Sequence, residues 1–114
     1  MINTDRHQRL RRAGRLPRIE YCDEMLRRLT EDPDYRLRRW GADVVKAYRR
    51  KIQIILAATD ERDLRAMRSL RLEQLSGDRE GTSSIRLNDQ FRLILTFKTD
   101  GERVAVVLEL VDYH

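Results

Sequence analysis

The sequence predicts an α+β domain in which an N-terminal strand and two or three helices pack on an antiparallel β-sheet. Two patterns support this class. Apolar residues recur at helical spacing through the first two-thirds of the 114 residues, and short apolar runs between turn sequences make up the last third. Because the helical segments precede the strands instead of alternating with them, the class is α+β.

The beginning of the chain differs in composition from the rest. Residues 1–16 carry five arginines and one aspartate, a net charge of +4, and show no sustained apolar period. We interpret them as a basic N-terminal arm, for which disorder and an upstream start codon are two open explanations. The folded domain is then predicted to span residues 17–114 and to open with a strand in the apolar stretch 16–21.

Aspartates precede two of the predicted helices. Asp23 is expected to cap the first helix, which turns Leu26 and Leu29 inward and ends near Pro33. Asp60 is expected to start a shorter helical segment further along the chain. Both carboxylates suit this position because an N-cap side chain accepts a hydrogen bond from the free N–H groups of the first helical turn.

The longest helical pattern lies between these two segments and begins at Gly41, with Asp43 as its expected N-cap. Its apolar stripe consists of four residues at helical spacing: Val44, Tyr48, Ile52 and Ile55. The basic residues of this helix are Lys46, Arg49, Arg50 and Lys51. They could contact the phosphates of ribosomal RNA, or they could form an ordinary solvated helix face.

The last third of the chain predicts three strands, at residues 83–87, 91–97 and 104–111. Asn88-Asp89 and Asp100-Gly101 are tight-turn sequences between them. Strands that are joined by such short turns must run antiparallel. The pattern therefore predicts an antiparallel sheet at the end of the domain.

Charge alone does not identify the partner of this chain. The net charge is +5 and the isoelectric point about 9.9, which favours a nucleic-acid partner. The arm supplies +4 of this charge, however, and residues 70–114 carry six basic and eight acidic side chains. A phosphate site must therefore come from a local cluster of arginines, which bind phosphate with two hydrogen bonds. A bias in codon usage would also explain the arginine content.

The rest of the composition indicates a reducing, cytoplasmic location. The chain has one cysteine, Cys22, which cannot form an internal disulfide and is expected to be a small core residue. The two histidines stand at opposite ends of the sequence, so neither a metal site nor a cofactor is predicted. No apolar run approaches the roughly 20 residues of a membrane span. The N-terminus also lacks the apolar segment of a secretory signal.

Three motifs in the last third of the chain carry a resemblance to a known family. They are Gly77-Asp78-Arg79-Glu80-Gly81, Ser84-Ile85-Arg86-Leu87-Asn88-Asp89-Gln90-Phe91-Arg92 and Val111-Asp112-Tyr113-His114. Together they resemble the HigB family, also called plasmid maintenance killer proteins, within the RelE/ParE toxin superfamily. The resemblance implies a RelE-like fold and the toxin of a type II toxin–antitoxin system. It also implies a HigA-like helix-turn-helix antitoxin as partner, with which the toxin represses its own operon.

The activity that the resemblance implies is ribosome-dependent cleavage of mRNA by a metal-independent endoribonuclease. The nucleophile of this reaction is the 2′-hydroxyl of the RNA. The enzyme has to supply a base for the hydroxyl proton, positive charge for the phosphorane and an acid for the leaving oxygen. The residues of the chain can therefore be assessed against these three requirements.

Arginines are the candidates for the positive charge. The resemblance makes Arg92 a catalytic phosphate-binding residue; the alternative is an exposed strand arginine in a surface ion pair. Arg86 lies six positions earlier across a tight turn, so a hairpin can bring it beside Arg92. A phosphate would relieve the repulsion between the two guanidinium groups, unless Asp89, Glu109 or Asp112 neutralises them.

Tyr113 and His114 are the other two candidate catalytic residues. Histidine titrates near neutrality and can transfer protons, and a tyrosine hydroxyl can bond a phosphate oxygen or its ring can stack on a base. The predicted RNA-binding residues are Arg79, Arg86, Lys46, Arg49 and Arg50. For Arg79, which lies in the Gly-flanked turn, the alternative is an ordinary solvated turn.

Two positions depart from the pattern of the family. Some members carry a histidine and a lysine just before the Gly-Asp-Arg turn, where this chain has Glu73 and Ser76. The loss of two potential cations keeps open a catalytically weak toxin that acts mainly as an antitoxin-bound regulator. A ParE-like gyrase inhibitor of the same fold is a further alternative, although such an inhibitor has no need of Tyr113 and His114.

Overall fold

In the computed structural model, which describes residues 18–112, helices pack on one face of a five-stranded sheet. The helices are α1 (Glu24–Glu31), α2 (Ala42–Ala57) and α3 (Glu61–Ala66). The strands are β1 (Arg18–Tyr21), β2 (Glu73–Gln74), β3 (Ser83–Arg86), β4 (Phe91–Thr99) and β5 (Arg103–Asp112). The predicted α+β class is confirmed. The predicted arm, residues 1–16, lies outside the described residues.

The sheet has the strand order β1-β5-β4-β3-β2. The pairs β2–β3, β3–β4 and β4–β5 are antiparallel, as the short turns predicted for the three long strands. β1 pairs in parallel with β5, from Arg18 opposite Val104 to Tyr21 opposite Val107. β2 is only two residues long and was not predicted. The sheet thus joins the predicted hairpins to two strands that come from earlier in the chain.

Two of the three expected helix caps are confirmed. Asp23 Oδ1 accepts a hydrogen bond from the Met25 N–H at 2.8 Å, and Asp60 Oδ1 accepts one from the Arg62 N–H at 2.8 Å. The expected cap of α2 is wrong, because the helix begins at Ala42, two residues earlier than a cap at Asp43 implies, and its N-cap is Gly41. Asp43 lies in the first turn of α2, where its charge still interacts favourably with the positive end of the helix.

Helix α2 holds the end of α1 through two side chains. The buried Tyr48 hydroxyl donates to the Leu26 carbonyl at 2.8 Å. Arg49 Nε donates to the Leu29 carbonyl at 2.6 Å, and Arg49 Nη2 makes longer contacts of 3.3–3.4 Å with the carbonyls of Asp32, Pro33 and Tyr35. Of these acceptors, the Leu29 carbonyl has no partner within α1 itself, because the residue four positions later is Pro33, which has no N–H. Arg49 is therefore a structural residue, and it does not belong to a free basic face as the sequence suggested.

The core lies between the helices and one face of the sheet. The predicted stripe of α2 is buried in it, with Val44, Tyr48, Ile52 and Ile55 each at most 3% exposed. Sheet residues of the same cluster are Ile85, Leu93, Leu95, Ala105 and Val107. The expectation that Cys22 is a core residue is wrong, because Cys22 is exposed just after β1.

The opposite face of the sheet is the one that matters for function. In β4, Leu93 and Leu95 belong to the core cluster. Side chains alternate along a strand, so Arg92 and Ile94 point to the other side. Their partners in the neighbouring strands point the same way. We call this the outer face; it carries Arg86, Arg92, Ile94, Glu109 and Val111.

Candidate functional site

Arg86 and Arg92 lie directly opposite each other on the outer face. The register of β3 and β4 pairs them, and Val111 of β5 flanks Arg92 on its other side. Opposite residues in antiparallel strands have Cβ atoms about 4.5–5.5 Å apart. Both arginines are half-buried. The structure therefore brings together the two arginines that the hairpin pattern predicted to be neighbours.

The charge of Arg86 is only partly compensated within the protein. Its guanidinium forms an ion pair with Asp89 and donates from Nε to the Asn88 carbonyl at 3.3 Å. The Asp89 side chain is 94% exposed, so solvent screens this pair strongly. Burial lowers the pKa of Lys51, and the positive charges of Arg50 and Arg86 lower it further. Lys51 therefore lies close enough to Arg50 and Arg86 for their positive charges to interact.

Arg79 reaches the outer face through an ion pair that the sequence did not predict. Its Nη1 lies 2.9 Å from Glu109 Oε2. Glu109 pairs with Ile94 in the sheet, one row from the pair of Arg92 and Val111. The sequence suggested Glu109 only as a neutralising partner of Arg86 or Arg92. In the structure, Glu109 instead forms an ion pair with Arg79. The available signal was an acidic residue within the apolar run from Val104 to Val111.

The positions that depart from the family pattern border the same region. Glu73 in β2 pairs with Ser84 in β3. A surface cleft of about 440 Å³ is lined by Glu73, Gln74, Leu75, Ser76 and Arg79. A carboxylate and a hydroxyl thus stand beside Arg79 where the resemblance leads one to expect cations.

The remaining candidates are not brought into this group. Lys46 and Arg50 are exposed on α2, which covers the opposite face of the sheet. Tyr113 and His114 lie outside the described residues. Strand β5 ends at Asp112, which is paired with Phe91 and accepts a hydrogen bond from Gln90 Nε2 at 3.0 Å.

The described residues give no indication of a metal centre or a membrane span. Between residues 18 and 112, no three His, Cys, Asp or Glu side chains are grouped so that they could hold a metal ion. Among the helices of the same segment, none is long and apolar enough to cross a membrane.

Comparison with known proteins identifies first the fold and then the family. The YoeB/ParE toxin from Agrobacterium tumefaciens superposes with a TM-score of 0.53, over 85% of this chain and 99% of that chain, at 15% sequence identity. This likeness shows that the fold is that of the RelE/ParE toxins. Residues 19–114 match the family described as the RelE-like toxin of type II toxin–antitoxin system HigB.

A curated relative supports the same assignment. Toxin HigB-1 of Vibrio cholerae serotype O1 is 37% identical over 91 residues, which are 80% of this chain and 94% of the relative. The chain therefore belongs to the HigB family of RelE-like toxins. A toxin of a type II toxin–antitoxin system has an antitoxin as its protein partner.

Proposed function

We propose that this HigB-family toxin is a ribosome-dependent endoribonuclease that cuts mRNA without a metal ion. The observation that carries the proposal is the pair of Arg86 and Arg92, held opposite each other on a rigid sheet face. Like charges directly opposite each other in neighbouring strands repel. A phosphodiester between them replaces repulsion by charge-assisted hydrogen bonds, which are among the strongest that proteins form.

The proposed chemistry uses the RNA's own nucleophile. The 2′-hydroxyl oxygen attacks the adjacent phosphorus, the bond from phosphorus to the 5′-oxygen breaks, and a 2′,3′-cyclic phosphate and a 5′-hydroxyl result. A base takes the 2′-proton and an acid protonates the departing 5′-oxygen. Arg92 and Arg86 stabilise the negative charge that develops on the phosphorane, a contribution of about 10²–10³ in rate for one well-placed donor.

Proton transfer is assigned to the end of the chain. We infer that His114 is the general acid, since imidazole titrates near neutrality, and that Tyr113 donates a hydrogen bond to a phosphate oxygen. Arg79 and the exposed residues Lys46 and Arg50 add contacts to RNA phosphates. Arg49 is left out of this set because its guanidinium is bound to backbone carbonyls.

The biological setting follows from this activity. Ribosomes and mRNA place the toxin in the cytoplasm. A HigA-like helix-turn-helix antitoxin would hold it inactive, and the toxin would meet DNA only through that antitoxin. No cofactor takes part in the proposed reaction.

Expression of the chain alone in a bacterium, followed by mapping of new mRNA 5′ ends, tests the proposal. New ends in frame with codons are expected, and they should vanish with Arg92→Ala. Arrested growth with intact mRNA and trapped gyrase would instead identify a ParE-like inhibitor.

A catalytically weak toxin is the second candidate, because Glu73 and Ser76 stand where other members carry cations. This candidate predicts intact mRNA and normal growth, together with tight binding of the antitoxin.

A further inference from the structure

The ion pair between Arg79 and Glu109 spans the outer face of the sheet. Arg79 lies in the turn between β2 and β3, whereas Glu109 lies on β5, and the strand order places β3 and β4 between them. The 2.9 Å contact between Arg79 Nη1 and Glu109 Oε2 therefore requires the turn that carries Arg79 to lie over the outer face of the sheet.

The outer-face residues between the two partners of this ion pair are buried. Ser84 of β3 and Ile94 of β4 form one row with Glu109, and both are 0% exposed. Neither belongs to the core cluster, because their side chains point to the outer face. This row is therefore shielded from solvent on the outer face.

The backbone of the turn is held by hydrogen bonds that do not involve Glu109. Thr82 Oγ1 donates to the Arg79 carbonyl at 2.6 Å, and Thr96 Oγ1 donates to the Gly81 carbonyl at 2.8 Å. The Leu75 N–H donates to the Thr82 carbonyl at 2.9 Å. The turn therefore does not depend on Glu109 for its position. Exposed ion pairs contribute little to folding stability, and these two side chains are 45% and 49% exposed. What the ion pair restricts is the direction of the Arg79 side chain.

That direction brings Arg79 close to the arginine pair. Glu109 is two residues from Val111, which lies beside Arg92 in the sheet. Two residues along a strand correspond to about 6.8 Å, and diagonal neighbours at about 7–8 Å are within reach of long side chains. Glu109 thus holds the Arg79 guanidinium one row away from Arg86 and Arg92.

We propose that Glu109 is a positioning residue that orients Arg79 toward the RNA phosphate next to the one bound by Arg86 and Arg92. A guanidinium has five N–H donors in a fixed plane, and the contact with Glu109 uses Nη1. The other donors are then aimed by the carboxylate instead of sampling many side-chain rotamers. The inference rests on the proposed endoribonuclease function and adds to it a residue that acts only through Arg79.

A double-mutant cycle tests whether Glu109 acts through Arg79. Single-turnover cleavage is measured on programmed ribosomes for Glu109→Ala, Arg79→Ala and the double variant. Loss of orientation should slow Glu109→Ala by about tenfold, and the double variant should be no slower than Arg79→Ala alone. Glu109→Gln keeps an acceptor for Arg79 and should retain most of the rate. Glu31→Ala, which breaks an exposed ion pair with Arg27 on α1, is the matched control and should cleave normally.

Binding of a single-stranded RNA oligonucleotide gives a second measurement that does not require cleavage. Glu109→Ala should weaken binding severalfold and Glu109→Gln should not. Tighter binding or faster cleavage by Glu109→Ala would overturn the proposal and show that Glu109 opposes RNA binding. Rates and affinities equal to wild type would also overturn it. A wild-type protein that binds RNA without cutting mRNA would refute the endoribonuclease, while the binding series would still decide the role of Glu109.

Discussion

Arg92 lies where its charge can bind an anion together with that of Arg86. It lies on β4, between β3 and β5, opposite Arg86 and beside the apolar Val111. Because β4 is hydrogen-bonded to a strand on each side, Arg86 and Arg92 have little freedom to move apart. In the proposed function, this rigid pair of guanidinium groups would be preorganised for a phosphate, so that binding RNA would need little reorganisation.

Arg92→Ala should abolish cleavage while leaving the fold intact. The side chain lies on the outer face and not in the core, so the lost contribution is phosphate binding, about 10²–10³ in rate. Mapping of mRNA 5′ ends and circular dichroism measure the two effects. Lys98→Ala is a matched control, because Lys98 is a cation on the same strand that pairs with Glu20. An unfolded Arg92→Ala protein would show that this arginine is structural.

Deletion of His114 should reduce single-turnover cleavage by at least about tenfold, since a general acid–base group is typically worth 10²–10⁴. Ribosome binding should change little. The reduction is expected at the lower end of that range because Tyr113 could take over part of the role. Cleavage rates on programmed ribosomes with and without His114 provide the measurement, and equal rates would assign the proton transfers elsewhere.

The contact between α1 and α2 shows how adjacent arginines on one helix acquire different roles. Arg49 faces the end of α1 and binds backbone carbonyls, whereas its neighbour Arg50 is exposed. Unpaired carbonyls at the end of a helix lower stability when they lose water without gaining a donor. Arg49 supplies that donor, so α2 stabilises the position of α1.

Arg49→Ala should lower the free energy of unfolding by about 2 kcal/mol, as expected for hydrogen bonds from a charged donor to partly buried carbonyls. Chemical denaturation measures this change. Arg50→Ala, one position further on the same helix, should leave stability unchanged and weaken ribosome binding modestly. The opposite result, a stable Arg49→Ala protein with weakened ribosome binding, would return Arg49 to the RNA-binding surface.

For the molecule as a whole, most of the net positive charge belongs to the start of the sequence. Residues 1–16 account for +4 of the net +5. On the outer face, by contrast, Glu109 pairs with Arg79, and the nearby Asp89 pairs with Arg86. Long-range attraction to the ribosome and local chemistry at the phosphate are therefore expected to depend on different parts of the chain.

Removal of residues 1–16 should preserve cleavage, because these residues lie outside the family match that begins at residue 19. Ribosome affinity should become weaker and less dependent on salt, since fewer counterions are released on binding. Binding titrations at several salt concentrations and single-turnover rates test both parts. A truncated protein that binds ribosomes normally but cannot cut would contradict this separation.

Elements that depend on local pattern could be predicted from the sequence alone. The caps Asp23 and Asp60, the buried stripe of α2 and the three long strands are confirmed, because N–H capping and side-chain periodicity act within a few residues. The pairing of Arg86 with Arg92 could also be predicted, since the short turn between them leaves few possible registers.

Features that depend on residues distant in the chain became visible only in the three-dimensional structure. The parallel pairing of β1 with β5, the two-residue strand β2 and the exposure of Cys22 have no local signal. The same holds for Arg49, whose partners are 14 to 20 residues away, and for Arg79 and Glu109, which are 30 residues apart. A sequence pattern records which face of an element is apolar. Which element covers that face, and which charges then meet across it, is decided by how the elements pack together.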